Sequence, residues 1–349
     1  MHYDRLADFA LHVEAFEFER RERDTSSGFR RTTTVVSLHG DGETGRGEDV
    51  TYEGDDHDTF RDPVPSFPIT GEYTVDEFSG VLAETDLFPD REPSRSVFRN
   101  YRRWAFESAA LDLALKQAGT DLATQLDSQY DPVRFVVSTR LDEPPTGDRV
   151  LDLLDRNPDL EFKLDPTPAW TPEVVDRLAG TDAVRILDLK GQYEGTDVDT
   201  PADADRYELV LTGFPDGVIE DPALTAETKP LFDGEEGRVS WDNPIHGVED
   251  VEALPWEPDW LNIKPSRFGS VRSLLETIEY CRERGIQCYG GGQFELDVGR
   301  QHLHALASLF YPEAPNDVAP GVYNDPEPGE DLPTSPLEAP SAPTGFEWH

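Results

Sequence analysis

"VRILDLKG", residues 184–191, decides the architecture. Arg185, Ile186 and Leu187 read as a short buried strand, and Asp188 and Lys190 follow two residues apart where the apolar run stops. Side chains alternate across a strand, so residues two apart share a face. A carboxylate and an amine therefore project side by side from the end of one strand. Outward from it the same grammar repeats in VRFVVSTRL (133–141), LEFKLDP (160–166), GVIEDP (217–222), RVSWDNP (238–244), WLNIKPS (260–266), IQCYGGG (286–292) and DVAPG (317–321). Helical patterns such as TPEVVDRLAG, SVRSLLETIEYCRERG and GRQHLHALASLFYP sit between several of them. Alternating strands and helices predict parallel strands with right-handed crossovers, and eight strands favour a closed α/β barrel over an open sheet.

Upstream the grammar differs. Residues 1–63 read as antiparallel β, TVDEFSGVLAET as a short helix capped by Thr74, and SRSVFRNYRRWAFESAALDLALKQAG as a long amphipathic helix ended by Gly119. The expected organisation is an N-terminal α+β capping domain (1–128), a TIM-like (β/α) barrel (129–321) and a Pro- and acid-rich tail (322–349) that is extended or partly disordered. The regular recurrence of these apolar strands argues against an acidic disordered chain.

Charge narrows the function. Asp and Glu total 72 against 31 Lys and Arg, a net charge of −41 spread over every segment. Such a surface repels itself at low ionic strength and is screened at high salt, the signature of haloadaptation. It argues against nucleic acid, which is bound through basic patches. No run approaches the ~18 apolar residues of a membrane span, no signal peptide is visible, and the two cysteines, Cys281 and Cys288, fit neither a disulfide framework nor a zinc pattern. A reduced cytoplasm is the simplest expectation; the oligomeric state is left open.

Chemistry gathers at the strand ends. Five strands finish in charge: Lys163 with Asp165, Asp188 with Lys190, Glu220, Asp242 and Lys264. The C-terminal ends of barrel strands are where such folds carry their sites. Asp188, Glu220 and Asp242, one carboxylate on each of three neighbouring strands, form a hard-oxygen set suited to Mg²⁺ and are expected to converge on one ion. Lys163 and Lys264 flank them, placed to move a proton on either face of a substrate carbon α to a carboxylate. Gly290, Gly291 and Gly292 offer backbone N–H groups to an anion or make a tight turn. Glu295 lies at the expected mouth, and Arg267 is placed to hold a substrate carboxylate or to pair with an acid. His246 reads as a loop residue, and His302 and His304 point to different faces of a helix.

These strand ends, with RRWAFESAALDLAL, FKLD, LDLK, VIEDP, VSWD, LNIKPSRFGS and GGGQFE in this order, resemble the enolase superfamily, most closely its mandelate racemase and muconate-lactonizing branch. The resemblance covers nearly the whole chain. It implies a (β/α)7β barrel with a capping domain, Mg²⁺ at Asp188, Glu220 and Asp242, and Lys264 as an acid/base group. It further implies a lyase or isomerase acting on a small carboxylate by cycloisomerisation, epimerisation or dehydration. The alternative from another class is an enolase-like barrel that binds an anionic metabolite without turnover. Two positions depart from the pattern. Asp165 stands where the second lysine of Lys-x-Lys is expected, and Lys190 where the asparagine of Asp-x-Asn is expected. Read together they are an exchange, an amine moved from one strand end to its neighbour, or else a plain buried ion pair or a site that has lost its chemistry; in the exchange reading Asp165 and Lys190 are expected to face each other across the two strands.

Overall fold

The computed structural model describes residues 1–60, 65–196 and 198–348. The end of the first β region (residues 61–63) and the last residue of the tail, His349, lie outside these. The cap is built on two small antiparallel sheets. Strands β1 (Ala10–Val13) and β5 (Gly71–Thr74) form one, and β2 (Ala15–Asp24), β3 (Arg30–Gly40) and β4 (Glu43–Asp49) form the other, in the order β2-β3-β4. Helix α1 (Val75–Glu84) starts on a capping box in which the Thr74 hydroxyl accepts from the Glu77 N–H and the Glu77 carboxylate accepts from the Thr74 N–H. The long helix α2 (Phe98–Gln117) lies across β4 at close quarters. A Cβ at Gly45 would fall 2.2 Å from Ala109 O and one at Gly47 2.0 Å from Ala105 O, so only glycine lets this strand and helix touch. The short α3 (Leu122–Gln125) leads into the second domain.

There, seven parallel strands follow in chain order: β6 (Val136–Thr139), β7 (Glu161–Leu164), β8 (Val184–Asp188), β9 (Val218–Glu220), β10 (Val239–Trp241), β11 (Trp260–Ile263) and β12 (Gln287–Gly290). Helices α4 (Asp148–Arg156), α5 (Pro172–Ala179), α6 (Ala204–Gly213), α7 (Val248–Glu252), α8 (Pro265–Phe268), α9 (Val271–Arg284) and α10 (Val298–Phe310) lie between or after them. The eighth strand expected at 317–321 is reduced to a pair of bridges, Phe135 with Asn316 and Gly291 with Asp317, which join the first strand to the seventh. Pro315 and Pro320 flank this stretch and remove the donors that a longer ladder needs. Val136, Ile186, Val218 and Tyr289 fill the barrel interior as a cluster of their own. The architecture is a TIM-like barrel with an N-terminal cap.

The cap is bolted to the barrel next to the strand ends. Buried Glu48 at the end of β4 accepts the N–H groups of Leu296 (2.7 Å), Asp297 (3.0 Å) and Gly299 (2.8 Å), satisfying the free donors at the start of α10. The tail is extended, as composition suggested, but docked: Leu337 bridges Val133, Gly345 bridges Asp121, and Phe346 stacks on His302 at 4.1 Å. Among the described residues, no helix is long and apolar enough to cross a membrane.

Candidate active site

Parallel register aligns the strand ends. Asp188 pairs with Glu220 across β8 and β9, and Glu220 with Ser240 across β9 and β10. Asp242 follows β10 and Lys264 follows β11, each one residue past its strand. Asp188, Glu220 and Asp242 are fully buried, Lys163 is 1% and Lys264 6% exposed. Buried charges persist only when paired, and here every one is. Lys163 Nζ donates to Glu220 Oε1 at 2.6 Å and lies 3.2 Å from Asp317 Oδ2 and 3.4 Å from Asp188 Oδ2. Lys190 Nζ bonds Asp188 Oδ2 and sits 3.7 Å from Asp165 Oδ1. Lys264 Nζ donates to Asp242 Oδ2 at 2.8 Å, and the Tyr193 hydroxyl donates to the same oxygen at 2.7 Å. Arg267 also reaches Asp242, while its Nε–H, 3.2 Å from Oδ1, is misaligned and leaves that oxygen without a hydrogen bond.

The floor and walls are polar too. Tyr289 donates to Glu220 Oε2, and its hydroxyl lies 2.9 Å from Ser240 Oγ. Asn262 Nδ2 reaches the same carboxylate at 3.2 Å. Asp221, held at φ +49°, turns its carboxylate onto the backbone N–H groups of Asp242 and Asn243, both at 2.8 Å. From the cap, Tyr101 and Tyr52 reach the loop after β12: Gln293 Nε2 donates to the Tyr101 hydroxyl and the Tyr52 hydroxyl donates to Gln293 Oε1, both at 3.0 Å.

Electrostatics separate the carboxyls into two kinds. Burial raises Asp188, but Lys190 and Lys163 more than offset it and hold it well below the usual range. Asp242 is likewise raised by burial and driven down further by Arg267 and Lys264. Glu220 goes the other way: burial, only partly opposed by Lys163 and reinforced by Asp188 and Asp242, pushes it up to about 8. Asp221 is pushed up to about 7 by burial and by Asp242 and Asp188. Burial disfavours the charged amines, yet their carboxylates keep Lys163, Lys190 and Lys264 as ammonium ions.

The structure thus brings Lys163, Asp165, Asp188, Lys190, Glu220, Asp242, Lys264 and Arg267 into one network. The other candidates lie in the loop after β12 and in the loop after β10. Gly291 gives its N–H to Ile263 O at 3.0 Å, and a Cβ there would meet Asn262 Oδ1 at 2.2 Å, so close packing accounts for it. At Gly292 a Cβ would meet Glu295 Oε2 at 2.4 Å. Glu295 is an internal brace, accepting the Gln293 N–H at 2.7 Å and lying 3.4 Å from Arg300. His246 is engaged with Asp250, which accepts its backbone N–H at 2.8 Å and lies 3.4 Å from its Nδ1. Sequence reasoning did not single out Tyr193, Asp221, Tyr289, Gln293 or Asp317, although Tyr193 follows "LDLKGQ" directly and Asp221 sits inside "VIEDP".

Whether Asp188, Glu220 and Asp242 suit a divalent ion is decided by their charges. Among the described residues, no three His, Cys, Asp or Glu side chains are gathered as a ready cage, so the expected convergence on one point is replaced by three separate engagements with cations. The network nevertheless holds six carboxyls (Asp165, Asp188, Glu220, Asp221, Asp242, Asp317) against four cations (Lys163, Lys190, Lys264, Arg267). Two negative charges are left over, and they add to burial in pushing the carboxyls of Glu220 and Asp221 up. Asp242 Oδ1 and Asp165 Oδ1 are buried and without a hydrogen bond. A buried oxygen set two charges short fits a hard divalent cation.

Residues 4–125 and 129–325 match the N-terminal and C-terminal domains of one family, described as "Domain of unknown function (DUF8230)". The chain is also similar to the o-succinylbenzoate synthase of Bacillus subtilis (strain 168), 26% identical over 220 residues, covering 61% of this chain and 57% of the relative. To the N-succinylamino acid racemase of Amycolatopsis sp it is 28% identical over 252 residues, 69% of this chain and 66% of the relative. It spans less than two thirds of the length of either relative. Among solved structures, muconate lactonizing enzyme from Pseudomonas putida superposes with a TM-score of 0.67 at 19% identity, covering 97% of each chain. A dipeptide epimerase from Methylococcus capsulatus, complexed with Mg ion, gives 0.66 at 16% identity, over 88% of this chain and 89% of that one. At these identities the likeness is one of fold, the fold of the enolase superfamily.

Proposed function

The chain belongs to the DUF8230 family, whose description names no reaction, and from the site it carries we propose a Mg²⁺-dependent enzyme that moves a proton at the carbon α to a substrate carboxylate. One observation carries this reading: three buried carboxylates, one per neighbouring strand, stand between Lys190 on one side and Lys264 on the other. Asp188, Glu220 and Asp242 would hold the ion, which supplies Lewis-acid polarisation of the substrate carboxylate. The rest is done by the chain. Lys264 is an ammonium while Asp242 owns its charge, and in that state it delivers a proton; it takes one up only when Asp242 shares its charge with another cation. Arg267 and Tyr193 fix Asp242 and so fix where Lys264 stands. Lys163, held by Glu220 and Asp317, positions Glu220. From the cap, Tyr52 and Tyr101 hold Gln293 of the loop after β12, so the cap would help to shield this end of the barrel.

The reaction is an epimerisation, cycloisomerisation or β-elimination; the similar proteins named above suggest N-succinylamino acids, dipeptides and lactones as first compounds to try. The test is solvent deuterium exchange into such a panel, followed by mass spectrometry. Deuterium should enter the α-position with the wild-type chain and Mg²⁺, and Lys264→Ala should abolish it. Absence of exchange in every compound, or exchange undiminished in Lys264→Ala, would overturn the reading. The seating of Lys190 on Asp188 favours a second reading, a barrel that binds an anionic carboxylate without turnover, whose signature is binding with no exchange.

A further inference from the structure

Lys190 has one bonded partner and one just out of reach. Its ammonium is bonded to Asp188 Oδ2, while Asp165 Oδ1, 3.7 Å away, is buried and accepts no hydrogen bond among the described residues. The two side chains are 18% and 27% exposed, so water screens them little. The backbone of Lys190 is fixed: φ is +55°, and its N–H donates to Asp188 Oδ1 at 3.1 Å. Only the flexible stem can move, and the Tyr193 ring, 5.4 Å from Nζ, borders its sweep. A buried carboxylate with an empty oxygen beside a mobile ammonium is costly unless some other state fills it.

We infer that Lys190 is a two-position ammonium: it neutralises Asp188 when no divalent cation is bound, and swings to Asp165 when the cation takes Asp188. The inference rests on the reading of Asp188, Glu220 and Asp242 as a metal site. It gives one cause to both departures from the expected pattern, since Asp165 is the berth that a displaced Lys190 needs. It also makes Lys190 a competitor of the metal, so that loading depends on the berth. In the swung position the amine stands on β8's side of the site, across β9 and β10 from Lys264.

Isothermal titration of the full chain with Mg²⁺, at fixed potassium chloride concentration, reads this directly and without turnover. Lys190→Asn is the main variant because asparagine tolerates the left-handed backbone; Lys190→Met, neutral and similar in length, is the second, and circular dichroism checks that each variant is folded. Both should tighten Mg²⁺ binding, by roughly 10-fold if the coupling is of ordinary size. Asp165→Asn should weaken it by a similar factor, and should have no effect once Lys190→Asn is present. Equal weakening by Asp165→Asn in both backgrounds would mean a plain field effect of Asp165 and would overturn the inference, as would unchanged affinity in both Lys190 variants. Absence of Mg²⁺ binding in every variant would instead remove the metal reading itself, and this inference with it.

Discussion

Replacing Lys163 by methionine removes the ammonium that Glu220, Asp317 and Asp188 share at 2.6, 3.2 and 3.4 Å. Methionine keeps most of the stem, so the change is mainly one of charge. Asp188 retains Lys190, and Asp317 is 16% exposed, but Glu220, fully buried, loses its hydrogen-bonded cation. Breaking a buried pair in this way costs roughly 3–5 kcal/mol. Glu220 has an escape, because its carboxyl is already pushed up to about 8 by burial against the pull of Lys163. Its folded value lies above its unfolded one, so the native state holds the extra proton and stability falls as pH rises through the interval, by about 1.4 kcal/mol per unit. In the wild-type chain that fall ends near pH 8. In Lys163→Met the folded value moves higher and the fall continues. The difference in stability between variant and wild type should therefore be nearly flat from pH 6 to 7, where both hold the Glu220 proton, and grow by about 1 kcal/mol between pH 8 and 9 as only the wild type finishes titrating. Urea unfolding at pH 6, 7, 8 and 9 and constant ionic strength measures it. A loss below ~1 kcal/mol at pH 9, the scale of an exposed pair, or a loss independent of pH, would refute the reasoning.

Three further outcomes are expected. Asp221 is pushed up to about 7, above its ordinary 3.8, so it lowers stability as pH rises between those values; Asp221→Asn should flatten the wild-type slope there by about 1.4 kcal/mol per unit, and an unchanged slope would place the titration elsewhere. Glu48→Ala strips the acceptor from three N–H groups at the start of α10 and should cost roughly 1–3 kcal/mol, with faster protease cleavage in residues 291–297; equal cleavage would show that the cap does not hold that loop. With 72 acids against 31 bases, the melting temperature should climb from dilute buffer towards molar salt, where the Debye length is ~3 Å; a salt-independent melt would contradict the haloadapted surface.

What the sequence made legible and what it hid divide along one physical line. Period-two alternation fixes which residues share a strand face, so Lys163, Asp188, Glu220, Asp242 and Lys264 could be placed at strand ends from local pattern alone. Which cation meets which carboxylate depends on the register between strands, and that is not local. Lys163 bonds a residue 57 positions away rather than its neighbour on β8. Asp317 enters the site on a closing segment that, among the described residues, bridges the sheet through Asn316 and Asp317, too short to write any alternation into the chain. Tyr193 and Asp221 lie in turns, where no periodicity reports direction.

The exchange of Asp165 and Lys190 shows the same limit and its consequence. Sequence reasoning paired the two because β7 and β8 are neighbours; in the fold they are 3.7 Å apart, and Lys190 prefers Asp188, two residues back on its own strand end. The same-strand contact wins because the left-handed turn at Lys190 folds the side chain back over Asp188 and lets its own N–H bind that carboxylate too. An amine at position 165 would have no such turn and would not fold back over Asp188 in this way, while Lys163, on the same strand, already lies 3.4 Å from that carboxylate. Moving the charge between strands therefore keeps the site's net charge while changing what the amine competes for: on β7 it is a neighbour of the carboxylates, on β8 it is a rival for the oxygen that a metal would need.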